Sequence, residues 1–132
     1  MPLLPAMLDA VGRFSLSAMV HRFSNSSAQL GAAIGMDAEG MHQQRRGFST
    51  FELMLRTTTP LPLDSPYLVE TGIAHLGNTS LRMIHRMTDP RTGAEVARVS
   101  QYGVNLDLDA RRPARWPDDV RAKAEALLVP VG

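Results

Sequence analysis

The chain of 132 residues contains no cysteine. It therefore cannot form disulfides, thiolate nucleophiles, cysteine-type zinc sites or iron–sulfur clusters. The net charge is only +1, from 14 basic and 13 acidic residues. The chain thus lacks the excess of Lys and Arg with which proteins bind a nucleic-acid backbone. Covalent catalysis would have to use oxygen or nitrogen atoms, and we expect no nucleic-acid partner.

Long apolar runs are missing as well. No stretch reaches the roughly 18 to 20 apolar residues that span a bilayer. The apolar start, residues 1–8, has no Lys or Arg before it and reaches Asp9 too soon for a signal peptide. We expect a cytoplasmic protein with no membrane partner. The length fits a single domain over residues 1–132, and a domain of this size buries only about two-thirds of its surface on folding, which favours oligomerisation.

One long helix is predicted from Leu16 to Gly35. This segment contains no Asp or Glu. Ser15 can cap its start, and Gly35 can end it in the left-handed conformation. Its apolar residues form one stripe at helical spacing: Leu16, Met19, Val20, Phe23, Leu30 and Ile34.

From Gly47 onward the hydrophobic period changes to two, which indicates strands. In the first strand Ser49, Phe51, Leu53 and Leu55 alternate with more polar neighbours. Three more strands are predicted at residues 67–76, 80–88 and 95–106, joined by short turns as an antiparallel meander. A short helix is predicted at residues 118–128, and the polar connection 37–46 is predicted to be a mobile loop.

These elements predict an α+β fold. A short N-terminal strand comes first, the long helix follows, and a run of strands completes the order. We therefore expect a long central helix wrapped by a curled antiparallel sheet of about five strands.

Residues 8–15 and the helix after them resemble the start of the hot-dog-fold acyl-CoA thioesterases of the hydroxybenzoyl-CoA thioesterase type. That family has an Asp at the end of the first strand, followed after two residues by Gly-His-x-Asn. Asp9 and Gly12 match this pattern, whereas Arg13 stands in place of the His and Ser15 in place of the Asn. The later strand segments also resemble the family's, so the likeness covers nearly the whole chain.

The resemblance implies hydrolysis of a small or medium acyl-CoA, without a cofactor. Asp9 would be the general base or nucleophile. Main-chain amides near Ser17 to Met19 would stabilise the oxyanion, helped by the helix dipole, and Ser15 would cap the helix and donate one hydrogen bond. A related subgroup carries its carboxylate on the central helix, and the absence of acids there excludes that variant.

Substrate binding is expected from Gly12, Arg13, Glu52 and the pair Arg111-Arg112. Arg13 can pair with Asp9 or hold a carboxylate or phosphate of the ligand. The two later arginines follow the last long strand and suit the phosphates of coenzyme A. Glu52 is a second candidate carboxylate, on the less apolar face of its strand. The four histidines show no ligand spacing, so no metal site is expected.

The family pairs two subunits so that their sheets join, which implies a homodimer or a homotetramer. Two other functions stay open. The altered residues Arg13 and Ser15 are compatible with a non-catalytic or weakly active hot-dog protein that binds acyl-CoA. A hot-dog hydratase or dehydratase ranks last, because the His–Asp or His–Glu pair of those relatives is not found in this sequence.

Overall fold

Three helices and five strands make up the structure, a computed structural model that describes residues 16–61 and 65–129. The helices are α1 (Leu16–Ala33), α2 (Ala38–Gln43) and α3 (Asp118–Glu125). The strands are β1 (Arg46–Thr57), β2 (Leu68–Leu76), β3 (Ser80–Thr88), β4 (Glu95–Asp107) and β5 (Arg112–Pro113). The predicted N-terminal strand and the Ser15 cap lie outside the described residues.

The strands form one antiparallel sheet in the order β1-β4-β3-β2, with β5 paired to the end of β4. The free edge of β2 is partly covered by the segment after α3, because Ile73 N–H donates to Leu127 O and Val129 N–H donates to Ile73 O. Within the described ranges, β1 has a strand partner only in β4. The predicted α+β fold, a long helix on an antiparallel sheet, is confirmed.

The end of α1 is formed by its glycine. Gly35 has a φ of +88°, which is the left-handed conformation that glycine adopts without steric cost. Gly35 N–H donates to Ala32 O at 3.1 Å, and Met36 N–H donates to Gly31 O at 2.7 Å. This is the Schellman pattern, which satisfies the last carbonyls of the helix. The predicted terminating role of Gly35 is confirmed.

The buried side of α1 lies on the sheet and divides the core into two clusters. Met19 and Phe23 pack with the first cluster, to which Leu55 of β1 also contributes. Leu30 and Ile34 pack with the second, together with Trp116 and residues of α3 and beside Phe48 of β1. Helix α1 therefore runs antiparallel to β1, its start near the end of the strand.

The alternation of β1 is broken by a bulge, so the predicted uniform alternation of residues 49–55 is wrong. The register with β4 shifts between Thr50 and Glu52. A bulge places an extra residue in one strand and reverses the facing of the residues after it. Phe48 and Leu53 can then line the same cleft although they lie five positions apart.

The connection predicted as a mobile loop is helical over Ala38–Gln43. Met41 N–H donates to Asp37 O at 3.0 Å, and Gln44 N–H donates to Gly40 O at 3.1 Å. The polar composition of this segment did not predict the short helix. Its half-buried Met41 lines a cleft beside α1 that is described below.

No helix within residues 16–61 and 65–129 combines the length and the hydropathy needed to cross a bilayer.

Candidate active site

A cleft of about 520 Å³ lies between α1, α2 and the inner face of β1, β3 and β4. It exists because the flank of α1 that faces β1 carries small side chains over its last three turns. These residues are Ser24, Ser27, Ala28, Gly31 and Ala32. Large side chains on the neighbouring side hold the helix against the sheet, so the space beside the flank is not filled.

The lining of the cleft is mainly apolar and includes three methionines. Its larger residues are Val20, Phe23, Met36, Met41, Phe48, Leu53, Met83 and Val99. Polar groups are few, and the chief ones are Ser27, Asp37 and Gln101. An apolar cavity with a small number of placed polar groups is the usual form of a site for a small organic ligand. Flexible thioethers allow such a wall to adapt to acyl groups of different shape.

The polar groups at the floor of the cleft are connected. Ser27 Oγ donates to Gln101 Oε1 at 2.9 Å, and Gln101 Nε2 donates to Thr50 Oγ1 at 2.9 Å. One residue comes from α1, one from β4 and one from β1, so the carboxamide is fixed from both sides.

The side chain of His85, on β3, is fully buried in the core, with its ring 6.1 Å from the ring of Phe23 on α1. Its Nδ1 is 2.7 Å from Thr71 Oγ1. Burial lowers the pKa of His85 from 6.5 to about 4, and the Gln101 side chain opposes this by favouring the charged ring. The imidazole is therefore neutral at pH 7.

The four predicted residues Asp9, Gly12, Arg13 and Ser15 lie outside the described residues. Met19, named for its main-chain amide, lies in the first turn of α1 and is 5% exposed. Its side chain belongs to the core, so only its main chain is placed to act at the start of the helix.

Glu52 lies on the outer face of β1, away from the cleft that the next residue, Leu53, helps to line. Its Oε1 accepts a hydrogen bond from Arg82 Nη1 at 3.2 Å, and its side chain is 55% exposed. The structure does not bring this carboxylate together with the cleft.

Arg111 and Arg112 lie at the end of the sheet where β4 finishes and β1 begins. Arg45 and Arg46 lie beside them in the structure, and we call these four residues the arginine cluster. Asp107 lies among them.

Hydrogen bonds from the N–H groups of Ala110 and Asp109, with the charges of Arg46 and Arg112, lower the pKa of Asp107. Arg45 and Arg111 both have a positive φ, near +53° and +55°, which is uncommon for residues other than glycine.

The arginine cluster lies beyond the C-terminal end of α1. Arg46 precedes Phe48 by two residues on the same face of β1, which is roughly 7 Å along the strand. The first turn of α1 is at the opposite end of the cleft. Val20 and Ala32 both line the cleft and are roughly 18 Å apart along the helix. Within one chain, the first turn of α1 and the arginine cluster are thus at opposite ends of the cleft.

The sequence prediction did not identify Gln101 as a cleft residue. A signal was present, because Gln101 follows the apolar residues Ala97 and Val99 at alternate positions of its strand. In the part of the chain that the structure describes, no three His, Asp or Glu side chains converge as metal ligands would.

Solved structures define the fold as the hot-dog fold of thioesterases. A hypothetical protein from Staphylococcus aureus in complex with CoA has a TM-score of 0.90 at 12% identity, over 100% of this chain and 85% of that one. A predicted thioesterase from Bacillus stearothermophilus has a TM-score of 0.85 at 21% identity, over 100% of this chain and 96% of that one. A 1,4-dihydroxy-2-naphthoyl-CoA thioesterase from Synechocystis has a TM-score of 0.83 at 12% identity, over 96% of this chain and 93% of that one.

The family follows from a model that covers most of the sequence. The model of the thioesterase-like superfamily matches residues 3–124, and the chain belongs to this superfamily. None of the curated proteins matches the chain in sequence.

We predict that His85 makes the fold sensitive to acid. In the unfolded chain this ring takes up a proton near pH 6.5, but in the folded chain only near pH 4. Stability is therefore complete above pH 6.5 and falls as the pH drops towards 4, by about 2 to 3 kcal/mol from this residue. Urea unfolding at pH 7.5 and pH 4.5 should show this loss in the wild type and not in His85→Leu.

The matched control is His75→Gln, which alters an exposed histidine on β2 and should keep the pH-dependent loss. Equal pH dependence in wild type and His85→Leu would contradict the assignment.

Proposed function

We propose that this protein hydrolyses acyl-CoA thioesters to the free acid and CoA. The observation that carries the proposal is the apolar cleft beside α1 in a chain of the thioesterase-like superfamily. The similar structures support the ligand class, because one was solved in complex with CoA and others are named as a gentisyl-CoA and a 1,4-dihydroxy-2-naphthoyl-CoA thioesterase.

The acyl group is the part of the ligand that suits the cleft. Its apolar surface would replace water against Phe23, Leu53 and Val99, and burial of apolar area contributes about 25 cal/mol per Å². The phosphates of coenzyme A cannot enter such a wall, since burying an unpaired charge is costly. The thioester then lies at the α1 start of the cleft, where the family's motif would place Asp9.

In the proposed reaction Asp9 acts as general base or nucleophile. In the general-base form it takes a proton from water, and the water oxygen bonds to the thioester carbonyl carbon. Main-chain N–H groups in the first turn of α1 would stabilise the oxyanion, and the helix dipole favours negative charge there. The C–S bond then breaks, and the thiolate of CoA leaves and takes up the proton.

We further propose that two chains associate through β1. Three large apolar side chains on this strand are exposed: Phe51 by 65%, Leu53 by 49% and Met54 by 56%. An edge strand with such residues is a template for pairing with another strand. A twofold axis at the middle of β1 would join two copies antiparallel and extend both sheets.

Antiparallel pairing of β1 would also bring the arginine cluster to a useful place. The start of one β1 would lie beside the end of the other, near the first turn of the partner's α1. Arg111 and Arg112 of one chain would then face the thioester end of the other chain's cleft. Guanidinium groups bind phosphates through paired N–H donors, so the two chains would complete each other's sites.

The first test is thiol release from a panel of acyl-CoA esters. A thiol reagent would detect only the CoA product, because the protein has no cysteine. Asp9→Asn should lower kcat/KM by about 100-fold or more, the scale of a lost acid–base group. The matched control Glu52→Gln, on the outer face, should stay within about twofold of wild type.

Undiminished hydrolysis by Asp9→Asn would refute the choice of carboxylate. Saturable binding of acyl-CoA with no turnover at any pH would instead establish the alternative function, a hot-dog protein that binds acyl-CoA without hydrolysing it.

The second test uses mixed dimers. Asp9→Asn chains and Arg111→Ala/Arg112→Ala chains are co-expressed with different tags, and the heterodimer is isolated. If each site combines Asp9 of one chain with the arginines of the other, the heterodimer has one intact site. It should therefore show about half of the wild-type kcat, although both parent homodimers are impaired.

A heterodimer no more active than the average of the two homodimers would show that the arginines serve the cleft of their own chain. A monomer in light scattering at assay concentration would contradict the pairing itself.

A further inference from the structure

The side chain of Gln101 is held in the floor of an apolar cleft by two hydroxyl groups. Ser27 Oγ donates to its Oε1, and its Nε2 donates to Thr50 Oγ1, both at 2.9 Å. Its neighbours in the lining are the apolar side chains of Leu53, Met83 and Val99. The position and orientation of the carboxamide are therefore fixed before any ligand arrives.

The carboxamide keeps hydrogen-bonding capacity for a ligand. An amide nitrogen carries two hydrogens and an amide oxygen has two lone pairs. Among the hydrogen bonds of the described residues, Gln101 Nε2 donates only to Thr50, and Ser27 is the donor at Oε1. The oxygen of the carboxamide also favours the charged form of the buried His85 ring, so the second N–H of Nε2 is the group that can meet a ligand without loss of the existing interactions.

The fold itself does not require a polar side chain at this position. The partners of Gln101 are the hydroxyls of Ser27 and Thr50 and the ring of His85, all of them side chains, so no main-chain group depends on it. Thr50 is exposed and Ser27 half-buried, so water can satisfy both hydroxyls if the carboxamide is removed. An apolar residue at position 101 would also continue the inward row of Ala97 and Val99.

We propose that Gln101 is a specificity residue that makes the cleft prefer an acyl group bearing a hydroxyl over the unsubstituted acyl group of the same size. This inference rests on the proposed acyl-CoA function. A hydroxyl can accept a hydrogen bond from the free N–H of Nε2, so its oxygen keeps a partner inside the cleft. The same hydroxyl against an all-apolar wall would be buried without a partner, which disfavours it.

The experiment compares matched pairs of CoA esters, unsubstituted and hydroxylated at the same chain or ring size. Turnover is measured on the esters and binding on the corresponding thioethers, which cannot be hydrolysed. Wild type should favour the hydroxylated member by about 10-fold in both measurements. Gln101→Leu should reduce this ratio to within about twofold by weakening the hydroxylated ligand.

Two further variants keep the test decisive. Ser27→Ala frees one side of the carboxamide and should give an intermediate ratio, so the inference can be judged even if Gln101→Leu folds poorly. Gln43→Leu makes the same chemical change on α2, where Gln43 is exposed and donates only to Glu39 among the described residues. It should leave the ratio unchanged.

The outcomes separate this inference from the proposed function. Hydrolysis with the same ratio in wild type and Gln101→Leu would overturn the inference alone. An equal loss of affinity for every CoA ester and for free CoA would also overturn it, because Gln101 would then contact the pantetheine arm. A ratio that depends on Gln101 in thioether binding, without any turnover, would support the inference and contradict the hydrolytic function.

Discussion

The structure depends on the difference between two sides of one helix. The side of α1 against the sheet carries Met19, Phe23, Leu30 and Ile34, all 5% exposed or less. The flank towards β1 carries only serines, alanines and a glycine along its last three turns. The large side chains fix the distance between helix and sheet, and the small side chains cannot fill the space that remains between α1 and β1. A cleft is the consequence, and its position beside the central helix is the basis of the proposed function.

The polarity of the fold follows from the direction of that helix. Because α1 runs antiparallel to β1, the predicted catalytic end of the cleft lies at the end of β1, and the arginine cluster lies at its start. A single chain thus keeps the first turn of α1 and the arginine cluster apart. The proposed antiparallel association of two β1 edges would remove this separation, and it would explain both the exposed Phe51 and Met54 and the distant arginines.

Local patterns in the sequence predicted most of the fold. The helix stripe, Gly35 as terminator and the four long strands followed from periodicity and turn chemistry, because these depend on neighbours in the chain. The bulge near Phe51 did not, since it depends on pairing with β4, and helix α2 did not, since its six residues are too polar and too few to show a helical period. The meeting of Ser27, Thr50 and Gln101 joins three elements far apart in sequence, so no spacing rule could show it. The proposed catalytic role of Asp9 still rests on the family resemblance.

The central claim is that the cleft beside α1 receives the acyl group of an acyl-CoA. A crystal structure with a non-hydrolysable acyl-CoA thioether tests it most directly. We expect density for the acyl group between the small flank of α1 and the side chains of Val99 and Gln101, with the sulfur near the first turn of α1. Density for the acyl group on the outer face of the sheet, or at the arginine cluster with the cleft still empty, would contradict it.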